Sequence, residues 1–131
     1  KFINAKGESF IDSEPYDAIF SNATLHWILN PEAVISCMYS NLKPDGRLLL
    51  EMGGNGNISS ITNALSATLK EHGYSKQSRI TNWYFPKLGT YCHFLEQRGF
   101  KVTFAHLYDR PTKLQDPDNG IIDWLDMFGV H

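Results

Sequence analysis

Short apolar runs and period-2 alternation predict strands at four places along the chain. Residues 16–20 form an apolar run after a proline, which is typical of a buried strand. Residues 47–52 contain three leucines in a row and predict a strand buried on both faces, as in a parallel sheet covered by helices. Residues 1–5 predict the tail of an earlier strand, and residues 100–108 alternate as an edge strand does.

Apolar residues at helical spacing predict helices between and after these strands. The first begins at Asn30, because an N-cap asparagine followed by Pro31 and Glu32 is a helix-start signal. The proline, aspartate and glycine at residues 44–46 are expected to end it and turn the chain. Further helices are predicted for residues 58–72, 88–98 and 121–128, with glycines 73 and 99 ending the first two of these.

The order strand, helix, strand, helices, strand indicates an α/β sheet with crossover helices. In such sheets, ligands bind outside the carboxyl ends of the strands. The residues that follow each predicted strand are therefore the candidates for a binding site. They are residues 4–5, 21–23, 53–54 and 109–110.

Composition excludes several classes of protein. The chain has 131 residues, of which 42% are hydrophobic and 20% are charged, and this fits a single globular domain. The formal net charge of −2, without a long run of one sign, disfavours nucleic-acid or membrane partners. We expect a small molecule or a protein as partner, since the apolar runs also fall short of the about 20 residues that a membrane span needs.

The cysteines and histidines indicate the cellular compartment and whether a metal site is expected. Cys37 and Cys92 lie far apart in helix-like segments, which predicts free thiols in a reducing, cytoplasmic compartment and not a disulfide framework. The histidines are dispersed and no cysteine pair has ligand spacing, so no metal site is expected.

Two ordered motifs resemble class I S-adenosylmethionine-dependent methyltransferases. The stretch EPYDAIFSNATLHW at residues 14–27 is similar to the fourth strand of that family with its loop, and LKPDGRLLL at residues 42–50 to the fifth strand with its preceding turn. Residues 83–86, 100–103, 109–112 and 123–128 look like the trans-aconitate methyltransferase branch. The resemblance implies a Rossmann-like sheet, S-adenosylmethionine as cofactor and a small-molecule methyl acceptor.

The family's glycine-rich loop after its first strand, and its ribose-binding acid, have no counterpart in the sequence. The glycines of residues 53–56 follow the strand that resembles the fifth, so they do not replace that loop. Residues 1–131 are therefore expected to be the carboxyl-side portion of one methyltransferase domain, a partial sheet lacking the first strands and the last. We expect such a fragment to be inactive alone. The alternative is a non-catalytic half-domain that self-associates or binds a protein partner through an open sheet edge.

The resemblance also implies a set of cofactor-binding residues. Asn4 and Ala5 would lie by the adenine, where the asparagine side chain accepts a hydrogen bond; the alternative is an ordinary turn asparagine. The loop residues Ser21, Asn22 and Ala23 would line the methionine portion of the cofactor through backbone carbonyls and the asparagine side chain, or form a plain turn.

A further set lies on the acceptor side. Trp27 would be a wall of the cofactor site or a core residue, and His26 a polar group toward the acceptor, a base, or a side chain bonded to backbone. A carboxylate acceptor, as the trans-aconitate branch implies, is already anionic near pH 7 and needs no base. Tyr84, Arg79 and Arg110 are the candidates to bind it, although Arg110 equally fits a surface position. The aromatic residues 83–85 would cover the acceptor pocket or pack a helix start.

Overall fold

A computed structural model of the chain describes residues 2–129 and has an α/β architecture. A 3₁₀ turn, Leu25–Trp27, follows the first strand. The other elements, in chain order, are β1 (Tyr16–Asn22), α1 (Pro31–Ser40), β2 (Leu42–Glu51), α2 (Ser59–Glu71), α3 (Leu88–Arg98) and α4 (Gly120–Phe128). The fold class predicted from the sequence is confirmed: a small parallel sheet with helices, consistent with a partial Rossmann-like methyltransferase fold.

The sheet consists of β1 and β2, which run parallel and are joined through α1. Ile19 pairs with Leu48 and Ser21 with Leu50, whereas the register shifts between Tyr16 and Ala18. The shift arises because residues 43–46 bulge out of β2. The predicted turn at residues 44–46 thus lies inside β2, and α1 ends earlier, at its C-cap Asn41.

The two faces of the sheet have different surroundings. Ile19, Leu48 and Leu50 are partly buried against the core, whose buried residues are Leu25, Val34, Ile35, Met38 and Tyr91. The cross-strand neighbours Phe20 and Leu49 lie on the other face and are 67% and 65% exposed. The prediction that residues 47–52 are buried on both faces was therefore wrong, because within residues 2–129 the helices cover one face of the sheet only.

The helix start predicted at Asn30 is confirmed. Its side-chain oxygen accepts a hydrogen bond from the Ala33 amide at 3.1 Å, and Pro31 occupies the first helical position. At the other end of α1, the buried Asn41 amide donates to the carbonyls of Phe10 at 2.7 Å and Cys37 at 2.8 Å. This side chain therefore fixes the segment before β1 against the end of α1.

The later helices also match their predicted positions. Gly73 follows the end of α2 with φ of 85°, and Gly99 caps α3 with φ of 114°. Such left-handed backbone at a helix end favours glycine, because a Cβ would be strained there. The final helix, predicted for residues 121–128, is α4. None of the helices in residues 2–129 is long and apolar enough to cross a membrane.

Two predicted strands are absent from the described residues. Residues 2–5 are exposed coil, and residue 1 lies outside the described residues. Residues 100–108 form no strand, although the rings of Phe104, His106 and Tyr108 stack successively at 6.3 and 5.6 Å, as side chains on one side of an extended chain do. The alternation thus gave the local conformation correctly, but a strand also needs a neighbour for its backbone hydrogen bonds.

Candidate functional site

The two strands end side by side, and we call residues 21–23 and 51–54 the carboxyl-end edge. The Ala23 amide donates to the Glu51 carbonyl at 2.9 Å, which extends the pairing beyond β1. Ala23 itself has φ of 53°, a left-handed conformation that costs a residue with a Cβ about 1–2 kcal/mol. Strained backbone of this kind concentrates at binding and catalytic sites. Here the strained residue reverses the chain into the 3₁₀ turn.

The 3₁₀ turn brings His26 back over the carboxyl-end edge. Its Nδ1 accepts a hydrogen bond from the Gly53 amide at 3.2 Å, and its carbonyl accepts one from the Tyr84 amide at 2.8 Å. Burial of the half-buried ring lowers the pKa of His26. Three distant segments of the chain therefore meet at this one residue, whose imidazole is neutral at pH 7.

Six rings from three parts of the chain pack together beside this edge, and we call them the aromatic cluster. The centroid of Trp27 lies 5.4 Å from that of His26 and 5.8 Å from that of Trp83, and Phe85 is 5.6 Å from His26. The members of the cluster are His26, Trp27, Trp83, Phe85, Trp124 and Phe128. The cluster joins the 3₁₀ turn, the segment before α3, and α4.

Sequence reasoning missed the contribution of α4. Phe128 stacks on Trp27 with centroids 6.3 Å apart, and Trp124 lies 6.2 Å from Trp83. The apolar stripe of α4 indicates that one face of the helix is buried, but it does not show which residues bury that face. Gly53 is among the predicted candidates because it follows a strand, but the sequence does not show that its amide holds His26.

A polar cluster lies at the same edge, on the end of β2. Glu51 Oε1 accepts a hydrogen bond from the Tyr108 hydroxyl at 2.8 Å and an ion-paired one from Arg110 Nη1 at 3.1 Å. The carboxylate holds the phenol proton and raises the pKa of Tyr108. All three side chains are exposed, so the pairing is worth little stability. These contacts instead hold residues 108–110 next to the carboxyl-end edge.

The structure places the remaining predicted site residues elsewhere. Asn4 and Ala5 are exposed and lie outside any strand. The ring of Tyr84 packs against the core, 6.5 Å from Tyr91, and its burial raises the pKa of the phenol. Arg79 borders an open depression with Ser75 and Lys76, without a hydrogen bond or ion pair to the aromatic cluster among the described residues.

The structure thus brings together Ser21, Asn22, Ala23, His26, Trp27 and Arg110 at one edge. Residues 2–107 match the methyltransferase domain family. The chain belongs to this family. The carboxyl-end edge and most of the aromatic cluster lie within the matched residues, whereas Arg110 and α4 follow them.

Several relatives of this chain are named methyltransferases. An uncharacterized methyltransferase of Schizosaccharomyces pombe is 33% identical, over 94% of this chain and 48% of the relative. A malonyl-[acyl-carrier protein] O-methyltransferase of Calditerrivibrio nitroreducens is 28% identical, over 69% of this chain and 37% of the relative. The corresponding enzyme of Priestia megaterium is 35% identical over 48% of this chain and 23% of the relative. The chain spans about half the length of these relatives or less.

The side chains at the carboxyl-end edge have the chemistry to contact an organic cation. Trp27 offers a partly exposed aromatic face beside the neutral imidazole of His26, and Asn22 is exposed at the end of β1. An aromatic face attracts the positive charge of a sulfonium, and an amide can both donate to and accept from an amino acid group. Within residues 2–129, no three histidine, cysteine or acidic side chains converge as metal ligands do.

Proposed function

We propose that residues 1–131 are the carboxyl-side portion of an S-adenosylmethionine-dependent methyltransferase domain that methylates a carboxylate of a small molecule. The observation that carries the proposal is the hydrogen bond between His26 and Gly53, which assembles an aromatic-walled site at the carboxyl ends of two parallel strands. Ligands of α/β sheets bind at such a place. Both cysteines are free thiols, Cys37 buried and Cys92 half-buried, which supports a cytoplasmic location.

On the cofactor side, Ser21, Asn22 and Ala23 would receive the methionine portion. The strand ends there, and the exposed Asn22 amide is available to the amino acid group of the cofactor. Trp27 would form the wall beside the sulfonium. Asn4 and Ala5 would contact the adenine, which requires the segment before β1 to lie along this edge. S-adenosylmethionine supplies an activated methyl group, so the protein has to align the reactants and keep the site dry.

On the acceptor side, a carboxylate is the substrate group that the site suits best. Arg110 is held at the edge by Glu51, and an arginine can present several N–H donors in one plane. Arg79 and Tyr84 are further candidates, and either would have to move toward the edge to take part. The two relatives named malonyl-[acyl-carrier protein] O-methyltransferases support an acidic acceptor for this chain as well.

The test of this proposal is binding of S-adenosylhomocysteine to the full-length protein, measured by calorimetry. Binding of S-adenosylmethionine is measured in the same way, and Trp27→Ala is expected to weaken it roughly 2- to 30-fold, since a contact between an aromatic face and the sulfonium cation is worth about 0.5–2 kcal/mol. Tyr74→Ala is the matched control, because Tyr74 is an exposed aromatic residue outside the aromatic cluster. Absence of binding by the unmodified protein, or equal affinity of Trp27→Ala, would contradict the proposal.

The open side of β1 favours a second candidate function, a half-domain that self-associates. In residues 2–129, β1 has a neighbouring strand on one side only. An open depression of about 430 Å³ runs along its other side, with Ile19, Leu25 and Cys37 among its lining residues. A free strand edge beside apolar surface is a template for pairing with another chain. Phe20 and Leu49 extend this apolar surface over the uncovered face.

We expect the isolated 131-residue chain to bind the cofactor weakly or not at all and to associate as its concentration rises. Light scattering over a concentration series measures this. Phe20→Lys should reduce the association, since a charge on the open face must be desolvated on contact. Leu29→Lys is the control, because Leu29 is equally apolar and exposed but lies outside the sheet. A chain that stays monomeric throughout would rule out this second function.

A further inference from the structure

The two ring nitrogens of His26 have different surroundings. Nδ1 accepts a hydrogen bond from the Gly53 amide at 3.2 Å. A backbone amide can only donate, so Nδ1 must carry a lone pair. A neutral imidazole has a single N–H, and the proton must then be on Nε2. The surroundings support the neutral form, because the ring lies between Trp27 and Phe85.

The second nitrogen, Nε2, is not engaged by the protein. Within residues 2–129, Nε2 has no hydrogen-bond partner, and the buried polar side-chain atom without a partner is the Tyr91 hydroxyl. His26 is half-buried, and its Nε2 is not among the fully buried atoms that lack a partner, so this nitrogen keeps some contact with solvent. The ring therefore presents one fixed N–H donor outward, at the carboxyl-end edge where the methyl acceptor would bind.

We infer that His26 positions the acceptor by donating a hydrogen bond from Nε2 and does not act as a general base. This inference rests on the proposed function and narrows the acceptor to a group that is already ionised. A carboxylate fits, since it accepts the hydrogen bond without losing a proton. One of its oxygens forms the bond to the methyl carbon, the carbon–sulfur bond breaks, and its electron pair goes to sulfur. No proton is transferred in this step.

A general-base role conflicts with the Gly53 contact. To accept a proton at Nε2, the neutral ring would first have to carry its own proton on Nδ1. Two N–H groups would then face each other across 3.2 Å, where the structure has a hydrogen bond. Acceptors that must be deprotonated, such as alcohols and ammonium groups, are therefore disfavoured at this site.

No charged side chain of the described residues alters this arrangement. The groups packed against His26 are the rings of Trp27 and Phe85 and the Gly53 amide. Glu51, two residues before Gly53, is engaged by Tyr108 and Arg110. Protonation of His26 would add a proton at Nδ1 and leave the Nε2 donor in place.

The direct test is the tautomer of His26 in the full-length protein, measured by ¹⁵N NMR with labelled histidine. His26→Asn identifies the resonances. We expect Nε2 at the protonated position and Nδ1 at the unprotonated one at pH 7.5, with titration completed at a lower pH than in a free histidine. A proton on Nδ1 would overturn the inference. This readout does not depend on activity, so it remains valid even if the protein binds no S-adenosylhomocysteine and the proposed function fails.

Two variants separate the functions of the two nitrogens. His26→Asn places an amide oxygen near the Nδ1 position and keeps an acceptor for Gly53, but it has no donor at Nε2. His26→Gln reaches the Nε2 position with a donor and lacks the acceptor. Because a hydrogen bond to a charged group is worth about 1.5–3 kcal/mol, His26→Asn should lower kcat/KM roughly 10- to 150-fold, and His26→Gln less. The assay uses a panel of small dicarboxylates and a malonyl thioester.

The two variants also distinguish the donor from a base. A donor role leaves His26→Gln, which keeps a donor at the Nε2 position, more active than His26→Asn, whereas a base role costs both variants alike, since neither amide takes up a proton near pH 7. Equal loss of activity in the two variants would overturn the inference. A loss in both variants that follows reduced affinity for S-adenosylhomocysteine would also overturn it, because His26 would then act on the cofactor.

Discussion

Ile35→Ala is expected to lower the free energy of unfolding by about 2–5 kcal/mol, the cost of removing a fully buried aliphatic side chain. Ile35 is 1% exposed and lies on α1 within the core. This core is small, so the surrounding side chains have few neighbours with which to fill the space. Domains are stable by about 5–15 kcal/mol, so the variant should lose a large part of the free energy of unfolding. Urea denaturation followed by circular dichroism measures the change.

Two controls separate burial from side-chain chemistry. Ile35→Val removes a single methylene group and should cost about 0.5–1.5 kcal/mol. Ile122→Ala makes the same change at a position on α4 that is 54% exposed, and it should stay within about 0.5 kcal/mol. Equal losses for Ile35→Ala and Ile122→Ala would show that the packing around α1 is not the main source of stability.

Gly53→Ala is expected to abolish the contact between the carboxyl-end edge and His26. A Cβ at this position would lie 2.5 Å from Phe85 Cε1 and 2.6 Å from Asn57 Nδ2, closer than real Cβ contacts come. The loop must shift, and the Gly53 amide moves with it. Such overpacking costs about 1–3 kcal/mol of stability. In the full-length protein we expect affinity for S-adenosylhomocysteine to fall by a factor of roughly ten or more, the equivalent of about 1.4 kcal/mol.

Gly89→Ala is the matched control for this substitution. Gly89 lies in α3, and a Cβ there meets nothing within 4 Å, so the variant should bind normally and gain up to about 1 kcal/mol from helix propensity. Adding Phe85→Leu to Gly53→Ala replaces the ring that a new Cβ would meet and should restore part of the affinity. Normal affinity of Gly53→Ala alone would show that the loop is not part of the cofactor site.

The parts of the fold that the sequence predicted correctly are set by neighbouring residues. Asn30 and Pro31 define a helix start through groups within one turn, and Gly99 ends α3 through its own backbone conformation. The incorrect predictions concern which strands pair with a neighbour and which faces of the sheet are covered. Residues 100–108 have the alternation of a strand but no hydrogen-bonded neighbour, and Leu49 is exposed because its face of the sheet is uncovered. The pattern of apolar residues does not show whether another element of structure pairs with a strand or covers its face.

The sequence predicts where in the fold the candidate site lies, but only some of the residues that form it. The rule that ligands bind at the carboxyl ends of strands, together with the resemblance, predicts His26 and Trp27 as site residues. Sequence gave no means to see that Gly53 holds His26, or that Phe128 stacks on Trp27, because these contacts join residues far apart in the chain. Arg79 and Tyr84 are predicted from their chemistry alone. In the structure the Tyr84 backbone contacts His26 while its ring packs against the core, and Arg79 borders a separate depression with Ser75 and Lys76.

The aromatic cluster has a spectroscopic consequence. The chain has three tryptophans, and all of them, Trp27, Trp83 and Trp124, belong to this cluster. Indole emission from the chain therefore originates entirely at the candidate site, while the tyrosines report on the rest of the molecule. Detachment of α4 would change the tryptophan emission without a loss of helical circular dichroism. Comparing the two signals therefore distinguishes opening of the site from unfolding of the core.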